Sequence, residues 1–191
     1  LTGYFMKKDK VYVGIMRLHE EVSETLLKKE VEHFVGKIMQ KPPVKSRVKR
    51  VEREREVKRF EIIEFNGKDV LFLADVEAGT YIRKLIDDLG KKIGGAHMLE
   101  LRRTKAGIFH ESRSFTLYQL DAALQYLKDG NELPLREMLT PGEITKEIMP
   151  VIQLKEKYLP IVLKGSPLYR DFLELKTIEK GEYFALFCGE K

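Results

Sequence analysis

The sequence predicts an α+β fold: a mixed, mostly antiparallel sheet flanked by helices, followed by a small β-barrel. Strand-like segments rich in β-branched and aromatic residues alternate with segments whose apolar residues recur at helical spacing. Asn66-Gly67 lies between two of these strands and is a strong signal for an antiparallel hairpin. From about residue 151 the chain changes to short strand-like pieces with turns at Lys164-Gly165 and Lys180-Gly181, which indicates a small barrel.

The first half of the sheet begins with a predicted strand over residues 10–18. A helix follows, with Ser23 as its N-cap and Gly36 as its end. Residues 57–65 and 69–77 are the two strands of the hairpin. The second of these strands is apolar on both faces, which predicts a central position in the sheet.

The second half of the sheet begins with a helix predicted over residues 80–93, with Thr80 as its N-cap and Gly94-Gly95 as its stop. Residues 97–103 are a further predicted strand, and residues 114–128 a further helix.

Two domains account for the change of pattern along the chain. Pro141-Gly142 and Pro150 bracket the connection, so we assign residues 1–145 to a first domain and residues 146–191 to a second. A chain of 191 residues can bury one good core, or one larger and one smaller core.

The basic residues are concentrated in one segment. Residues 41–59 contain nine bases and three acids, so this segment carries +6 and the remainder of the chain sums to −1. The nine bases are Lys41, Lys45, Arg47, Lys49, Arg50, Arg53, Arg55, Lys58 and Arg59. A neutral body with one basic arm is typical of a protein that binds a polyanion, and a solvated charged hairpin is the alternative.

Several classes of protein are excluded by composition. The single cysteine, Cys188, excludes an internal disulfide framework and a cysteine-rich zinc site. The apolar runs are too short to cross a bilayer, and no segment has the pattern of a signal peptide, so we expect an intracellular protein.

Three stretches read in order carry a family resemblance. They are Gln-Lys-Pro-Pro-Val-Lys-Ser-Arg-Val-Lys from position 40, Val-Glu-Ala-Gly-Thr-Tyr-Ile-Arg from position 76, and Gly-Ala-His-Met-Leu-Glu-Leu-Arg-Arg-Thr from position 95. Preceded by Lys10-Val-Tyr-Val-Gly, this order resembles the TruB/dyskerin family of RNA pseudouridine synthases, in particular its archaeal and eukaryotic guide-RNA branch. The resemblance covers about residues 4–109. The segment from residue 147 more weakly resembles a PUA domain, an RNA-binding module.

The resemblance implies isomerisation of uridine without a cofactor or a metal. Arg83 matches the arginine that pairs with the family's catalytic aspartate, and a planar, always-charged guanidinium suits that partnership. A surface arginine in the first turn of a helix is the alternative. Tyr12 matches the tyrosine that stacks on the target base, although an isolated strand tyrosine is usually part of the core.

The resemblance also assigns an apolar pocket and an RNA-binding surface. Ile82 and Leu101 match the pocket walls, and would otherwise be plain core residues. The part of the arm from Gln40 to Arg55 resembles the family's thumb loop, which closes over RNA. Its proposed phosphate contacts are Lys41, Lys45, Arg47, Lys49, Arg50 and Arg53. In the tail, Lys164 and Gly165 resemble the glycine turn with which PUA domains approach RNA.

One family feature is not found in the sequence. The family's aspartate lies in a Gly-x-Leu-Asp-Pro type of loop, which does not occur here, and the tail stops before a complete PUA barrel would close. We therefore expect the chain as given to bind RNA without isomerising uridine.

Three functions follow as hypotheses. The first is the catalytic subunit of an H/ACA-type guide-RNA complex that modifies ribosomal RNA, with guide RNA, substrate RNA and small ribonucleoprotein proteins as partners. The second is a stand-alone tRNA pseudouridine synthase, and the third a non-catalytic RNA-binding or assembly protein. The expected location is cytoplasmic if the protein is archaeal and nucleolar if it is eukaryotic.

Overall fold

The computed structural model describes residues 1–43, 49–174 and 183–189. The chain divides into two compact units, Leu1–Ser114 and Phe115–Lys191, which we describe separately. The domain boundary at residues 145 and 146 stays a prediction. No helix within the described ranges has the length and apolarity that a membrane span requires.

The first unit is built on a six-stranded sheet in the order β2-β3-β4-β1-β5-β6, in which every pair is antiparallel. The predicted α+β class with a mostly antiparallel sheet is confirmed. The strands are β1 (Lys10–Leu18), β2 (Gly36–Gln40), β3 (Arg53–Asn66), β4 (Asp69–Val76), β5 (Ala96–Ala106) and β6 (Phe109–His110). The helices are α1 (Thr2–Met6), α2 (Glu24–Glu32) and α3 (Ile82–Gly90).

The core of this unit lies between one face of the sheet and the helices. α2 packs against β3, and α3 packs against β5. β4 lies between β3 and β1, so its predicted central position is confirmed. Its alternate residues point into the core, as the two-residue period of a strand requires. The most deeply buried side chains are Met16, Leu18, Leu27, Val57, Val70, Phe72, Val76, Leu85, Ile86 and Leu89.

Gly14 makes room for two large side chains that pack against it from the neighbouring strands β4 and β5. A Cβ atom at this position would lie 2.7 Å from the Phe72 ring, 3.0 Å from Cδ1 of Leu101 and 2.7 Å from the backbone oxygen of Glu100. The register pairs Gly14 with Phe72 on β4 and with Leu101 on β5. Because Gly14 has no side chain, Phe72 and Leu101 can both pack directly against its backbone.

Two predicted helix boundaries are wrong, and one is confirmed. Ser23 is the N-cap of α2, where its hydroxyl accepts a hydrogen bond from the Leu26 N–H at 3.3 Å. Gly36 does not end that helix; with φ of +101° it is the first residue of β2. The N-cap of α3 is Tyr81 rather than Thr80. The buried Thr80 hydroxyl has no hydrogen-bond partner in the described part of the chain.

The second unit contains three helices and a small two-stranded sheet within its described residues. The helices are α4 (Leu117–Lys128), α5 (Leu133–Met138) and α6 (Leu159–Leu163). β7 (Val151–Gln153) pairs in parallel with β8 (Ala185–Phe187), and a single antiparallel bridge joins Leu154 to Leu173. Ile152, Leu154 and Leu173 form the buried centre. The predicted Lys180-Gly181 turn lies outside the described residues.

We expect Gly14→Ala to lower the free energy of unfolding by about 1–3 kcal/mol, because the added methyl group overpacks the centre of the sheet. Urea denaturation of the chain measures this. Gly3→Ala is the matched control, because a Cβ atom there meets nothing within 4 Å. A Gly14→Ala protein as stable as its parent would mean that Phe72 and Leu101 do not close over this position.

Candidate active site

Tyr12 lies on the core-facing side of β1, near one end of the sheet. The register pairs it with Ala74 on β4 and with Arg103 on β5. Its side chain is half-buried and packs against the main hydrophobic core. An aromatic ring anchored on one side and partly open on the other can offer a face to a flat ligand.

The two predicted pocket walls lie on the core side of the sheet, as Tyr12 does. Ile82, the first residue of α3, is 4% exposed and belongs to the core cluster against which Tyr12 packs. Leu101 pairs with Gly14 on the same side of the sheet as Phe72 and remains 38% exposed. The Tyr12 ring and the Leu101 side chain, both partly exposed, therefore lie on the face of the sheet that packs against the helices elsewhere.

Arg83 lies in the first turn of α3. Its side chain is exposed and has no hydrogen bond or ion pair to any described residue. The helix start has no side-chain cap, and its first turn contains no acidic residue. The unpaired N–H groups and the helix dipole make this end electropositive, and Arg83 adds a full charge. This end of the helix favours an anion.

Two further cations lie beside Tyr12, and sequence reasoning assigned neither a role. Arg103 is its direct partner on β5, and Lys10 precedes it by two residues on the same side of β1. Burial, and then the nearby Arg103 charge, lower the pKa of Lys10 below its usual value, while Asp9 opposes this shift. The sequence did point to both residues, because Lys10 belongs to the Lys-Val-Tyr stretch and Arg103 to the Leu-Arg-Arg stretch of the family resemblance.

Several carboxylates of the first unit are held by their own partners. Asp69 accepts two hydrogen bonds from Arg17, each at 2.7 Å, at the opposite end of β1 from Tyr12. Asp87 and Asp88 contact Lys91 at 3.0 and 2.8 Å near the end of α3. Hydrogen bonds, foremost from Lys91, hold the pKa of Asp87 below its usual value.

His97 lies at the start of β5, paired with Arg17, and contacts His19 through ring nitrogens 2.9 Å apart. It is therefore at the end of the sheet that is remote from Tyr12.

The predicted basic arm connects β2 to β3, which pair as an antiparallel ribbon. Its two sides are joined where Nε of Arg50 donates to the Pro42 carbonyl at 3.2 Å. Lys45 and Arg47 lie outside the described residues. The other proposed phosphate contacts are exposed on the surface: Lys41, Lys49, Arg50 and Arg53.

The predicted glycine turn of the second unit follows α6. Gly165 adopts φ of +87°, and its N–H donates to the Val162 carbonyl at 2.9 Å. No atom lies within 4 Å of where its Cβ would be, and Lys164 is exposed beside it. The backbone of this turn is therefore open to a ligand, which is compatible with the proposed contact to RNA.

Comparison with known proteins gives one family match and a group of archaeal relatives. Residues 83–145 match the tRNA pseudouridylate synthase B C-terminal domain. Relatives named "Probable tRNA pseudouridine synthase B" include that of Archaeoglobus fulgidus, 42% identical over 170 residues, and that of Methanosarcina barkeri, 42% identical over 182. These alignments cover 88% and 93% of the chain but 52% and 54% of the relatives, so the chain spans about half their length.

Two solved structures share the fold. A Cbf5–Nop10–Gar1 complex matches with a TM-score of 0.84 and 37% identity, covering 97% of this chain and 58% of the matched one. An H/ACA ribonucleoprotein bound to a substrate RNA containing 2′-deoxyuridine matches with a TM-score of 0.82 and 34% identity, covering 98% and 58%. The chain thus shares its fold with solved H/ACA proteins and much of its sequence with archaeal proteins named as tRNA pseudouridine synthases. The chain belongs to the TruB/dyskerin family.

We expect Arg103→Met to raise the pKa of Lys10 toward its usual value, because the substitution removes a repulsive charge. The shift should be partial, since burial remains the larger cause. NMR titration of the reductively methylated chain, with the Lys10 signal assigned by mutation, measures it. Arg102→Met is the control, because Arg102 bonds to Glu111 instead, at 2.5 Å. Equal Lys10 pKa values in the parent and Arg103→Met would contradict this arrangement of charges.

Proposed function

We propose that this chain contributes the uridine pocket and the essential arginine of an RNA pseudouridine synthase. The enzyme isomerises uridine to pseudouridine as the catalytic subunit of an H/ACA-type guide-RNA complex, with ribosomal RNA as its substrate. The chain's family membership supports the reaction, and its likeness to solved H/ACA complexes supports the guide-RNA assembly.

The observation that carries the reaction is that the half-buried Tyr12 packs against the core cluster that contains Ile82, whose neighbour Arg83 lies in the electropositive first turn of α3. A flipped-out uracil stacks on the face of Tyr12, a contact worth roughly 1–3 kcal/mol. Ile82 and Leu101 exclude water from the reacting sugar. Arg83, which is without a carboxylate partner among the described residues, is available to hold the family's aspartate ionised and aimed at the ribose.

The assembly proposal rests on a division of labour between protein and RNA. Lysines and arginines of the arm contact phosphates, which strengthens binding without reading sequence. Base pairing to a guide RNA then selects the target, and the protein binds the A-form shape. One matched structure contains substrate RNA, and others contain Nop10 or Gar1. We therefore propose RNA and small ribonucleoprotein proteins as the partners of this protein.

A stand-alone tRNA pseudouridine synthase is the second candidate. The observation that favours it is the name shared by the curated relatives, tRNA pseudouridine synthase B. A non-catalytic RNA-binding protein is the third candidate, supported by the exposed basic arm.

An activity assay separates these candidates. The product of the complete gene is incubated with naked tRNA, and separately with ribosomal RNA fragments together with a matching H/ACA guide and the small partner proteins. Pseudouridine is measured by mass spectrometry. We expect modification of the ribosomal fragment only when the guide is present. Efficient guide-free modification of tRNA would favour the second candidate, and no pseudouridine under either condition would favour the third.

We expect Arg83→Ala in the same protein to lower turnover by about 10³-fold, because the aspartate loses its cationic partner. RNA affinity should change only a few-fold, since phosphate contacts elsewhere supply most of the binding. Single-turnover kinetics and fluorescence anisotropy measure the two effects. Lys92→Ala is the control, because it removes one charge just beyond the other end of α3. Near-normal turnover in Arg83→Ala would contradict the assigned role.

A further inference from the structure

A small cavity separates the base of the arm from the turn that leads into α3. Its volume is about 90 Å³, and its lining residues are Gln40, Pro42, Arg53, Arg55, Gly79 and Tyr81. Among the residues that the structure describes, the lining includes two guanidinium groups and no carboxylate. A cavity of this size suits a compact group rather than a nucleobase with its sugar.

Gln40 fixes one wall of this cavity. Its side chain is 3% exposed, and both of its polar atoms are bonded to the backbone of Tyr81. Oε1 accepts from the Tyr81 N–H at 3.0 Å, and Nε2 donates to the Tyr81 carbonyl at 3.3 Å. Tyr81 is the N-cap of α3, directly before Ile82 and Arg83. The cavity wall at Tyr81 is therefore directly continuous in the chain with Ile82 and Arg83 of the proposed site.

Arg55 lies over the same turn with most of its donors unused. It is half-buried, and its one hydrogen bond to the described residues runs from Nη1 to the Glu54 carbonyl at 2.9 Å. Its Nη2 and Nε atoms lie 3.3 and 3.4 Å from where a Cβ of Gly79 would be, so Gly79 leaves room for the guanidinium. The Nε and Nη2 edge of an arginine matches two oxygens of a phosphate group.

The charges around the cavity favour an anion. Arg53 is exposed two residues earlier on the same side of β3, and no ion pair of Arg53 is formed within the described ranges. The neighbouring Glu54 is paired with Lys37 at 2.9 Å, and Glu77 accepts the Glu56 N–H at 3.2 Å. Glu54 and Glu77 thus have partners of their own, while Arg53 and Arg55 form no ion pair with any described residue.

We propose that this cavity binds one phosphodiester group of the substrate RNA strand, adjacent to the uridine pocket. Arg55 donates the paired hydrogen bonds and Arg53 supplies a second charge. The inference rests on the proposed function, because it takes RNA as the ligand. The arm attracts RNA through its overall positive charge. The cavity binds one phosphate at a defined position beside the pocket. A phosphate held there would set the distance between the RNA backbone and the ring of Tyr12.

The test couples a protein substitution to a change at one phosphate. The 191-residue chain is titrated with short fluorescein-labelled RNAs that carry one central uridine and a neutral methylphosphonate at each flanking linkage in turn. For the parent chain we expect one linkage at which the methylphosphonate weakens binding about tenfold, as the loss of a charge-assisted contact predicts. In Arg55→Gln the same methylphosphonate should weaken binding less than about twofold, since the contact is already absent.

Control variants separate this site from general charge effects. Arg59→Gln removes a base from the same strand that is bonded to Glu61, and should retain the full sensitivity to the methylphosphonate. Arg55→Lys keeps the charge but not the paired donors, so it should retain most of the salt dependence and lose affinity. Arg53→Gln changes an exposed side chain and should not affect folding. It should reduce the sensitivity to the methylphosphonate less than Arg55→Gln does, at the same linkage or the next one.

Equal methylphosphonate sensitivity of the parent and Arg55→Gln at every linkage would overturn the phosphate site and leave RNA binding itself intact. Failure of the parent chain to bind any of these RNAs would overturn the inference, whereas the guide-RNA activity assay tests the proposed function separately. A third outcome is saturable binding of inorganic phosphate at Arg55, followed by NMR, with no coupling to any RNA linkage. It would assign the cavity to a free anion and also overturn the proposal.

Discussion

The candidate site depends on one packing constraint, the close approach of Phe72 and Leu101 to the backbone of Gly14. β1 lies between β4 and β5, and a side chain at position 14 would collide with both neighbours and with the Glu100 backbone. Because these strands are close-packed, the positions of Tyr12 and Leu101 are fixed by the same contacts that stabilise the sheet. The rigidity of the proposed pocket is thus a property of the core.

The electrostatics of the first unit differ between the two ends of its sheet. Across three strands the register places Lys10, Val76 and Val57 side by side, and α3 begins just beyond this end. Cations without an acidic partner among the described residues gather here: Arg53, Arg83 and Arg103. At the other end Arg17 is paired with Asp69. Exposed pairs of that kind contribute little stability, whereas an unpaired cation beside a cleft is available to an anionic ligand.

Gln40 links the two RNA-binding regions that we propose. It ends β2, from which the arm extends, and its buried amide holds the backbone of Tyr81 at the start of α3. The family resemblance includes this glutamine at the start of its first motif, but its role becomes visible only from the hydrogen bonds. Breaking them would leave buried polar groups unpaired, which is costly, so the arm and the pocket are held together as one body at this point.

Local patterns in the sequence determined four of the six strands of the sheet (β1, β3, β4 and β5), the Ser23 cap, the central position of β4 and the residue types of the candidate site. These features depend on interactions between near neighbours and on a two-residue or helical period, which a sequence displays directly. Tertiary structure alone decided that Arg103 lies beside Tyr12, that Gln40 holds the backbone of Tyr81 at the start of α3, and that Arg55 faces Gly79. Each of these contacts joins residues distant in sequence, or follows from strand register, so no local preference can specify it.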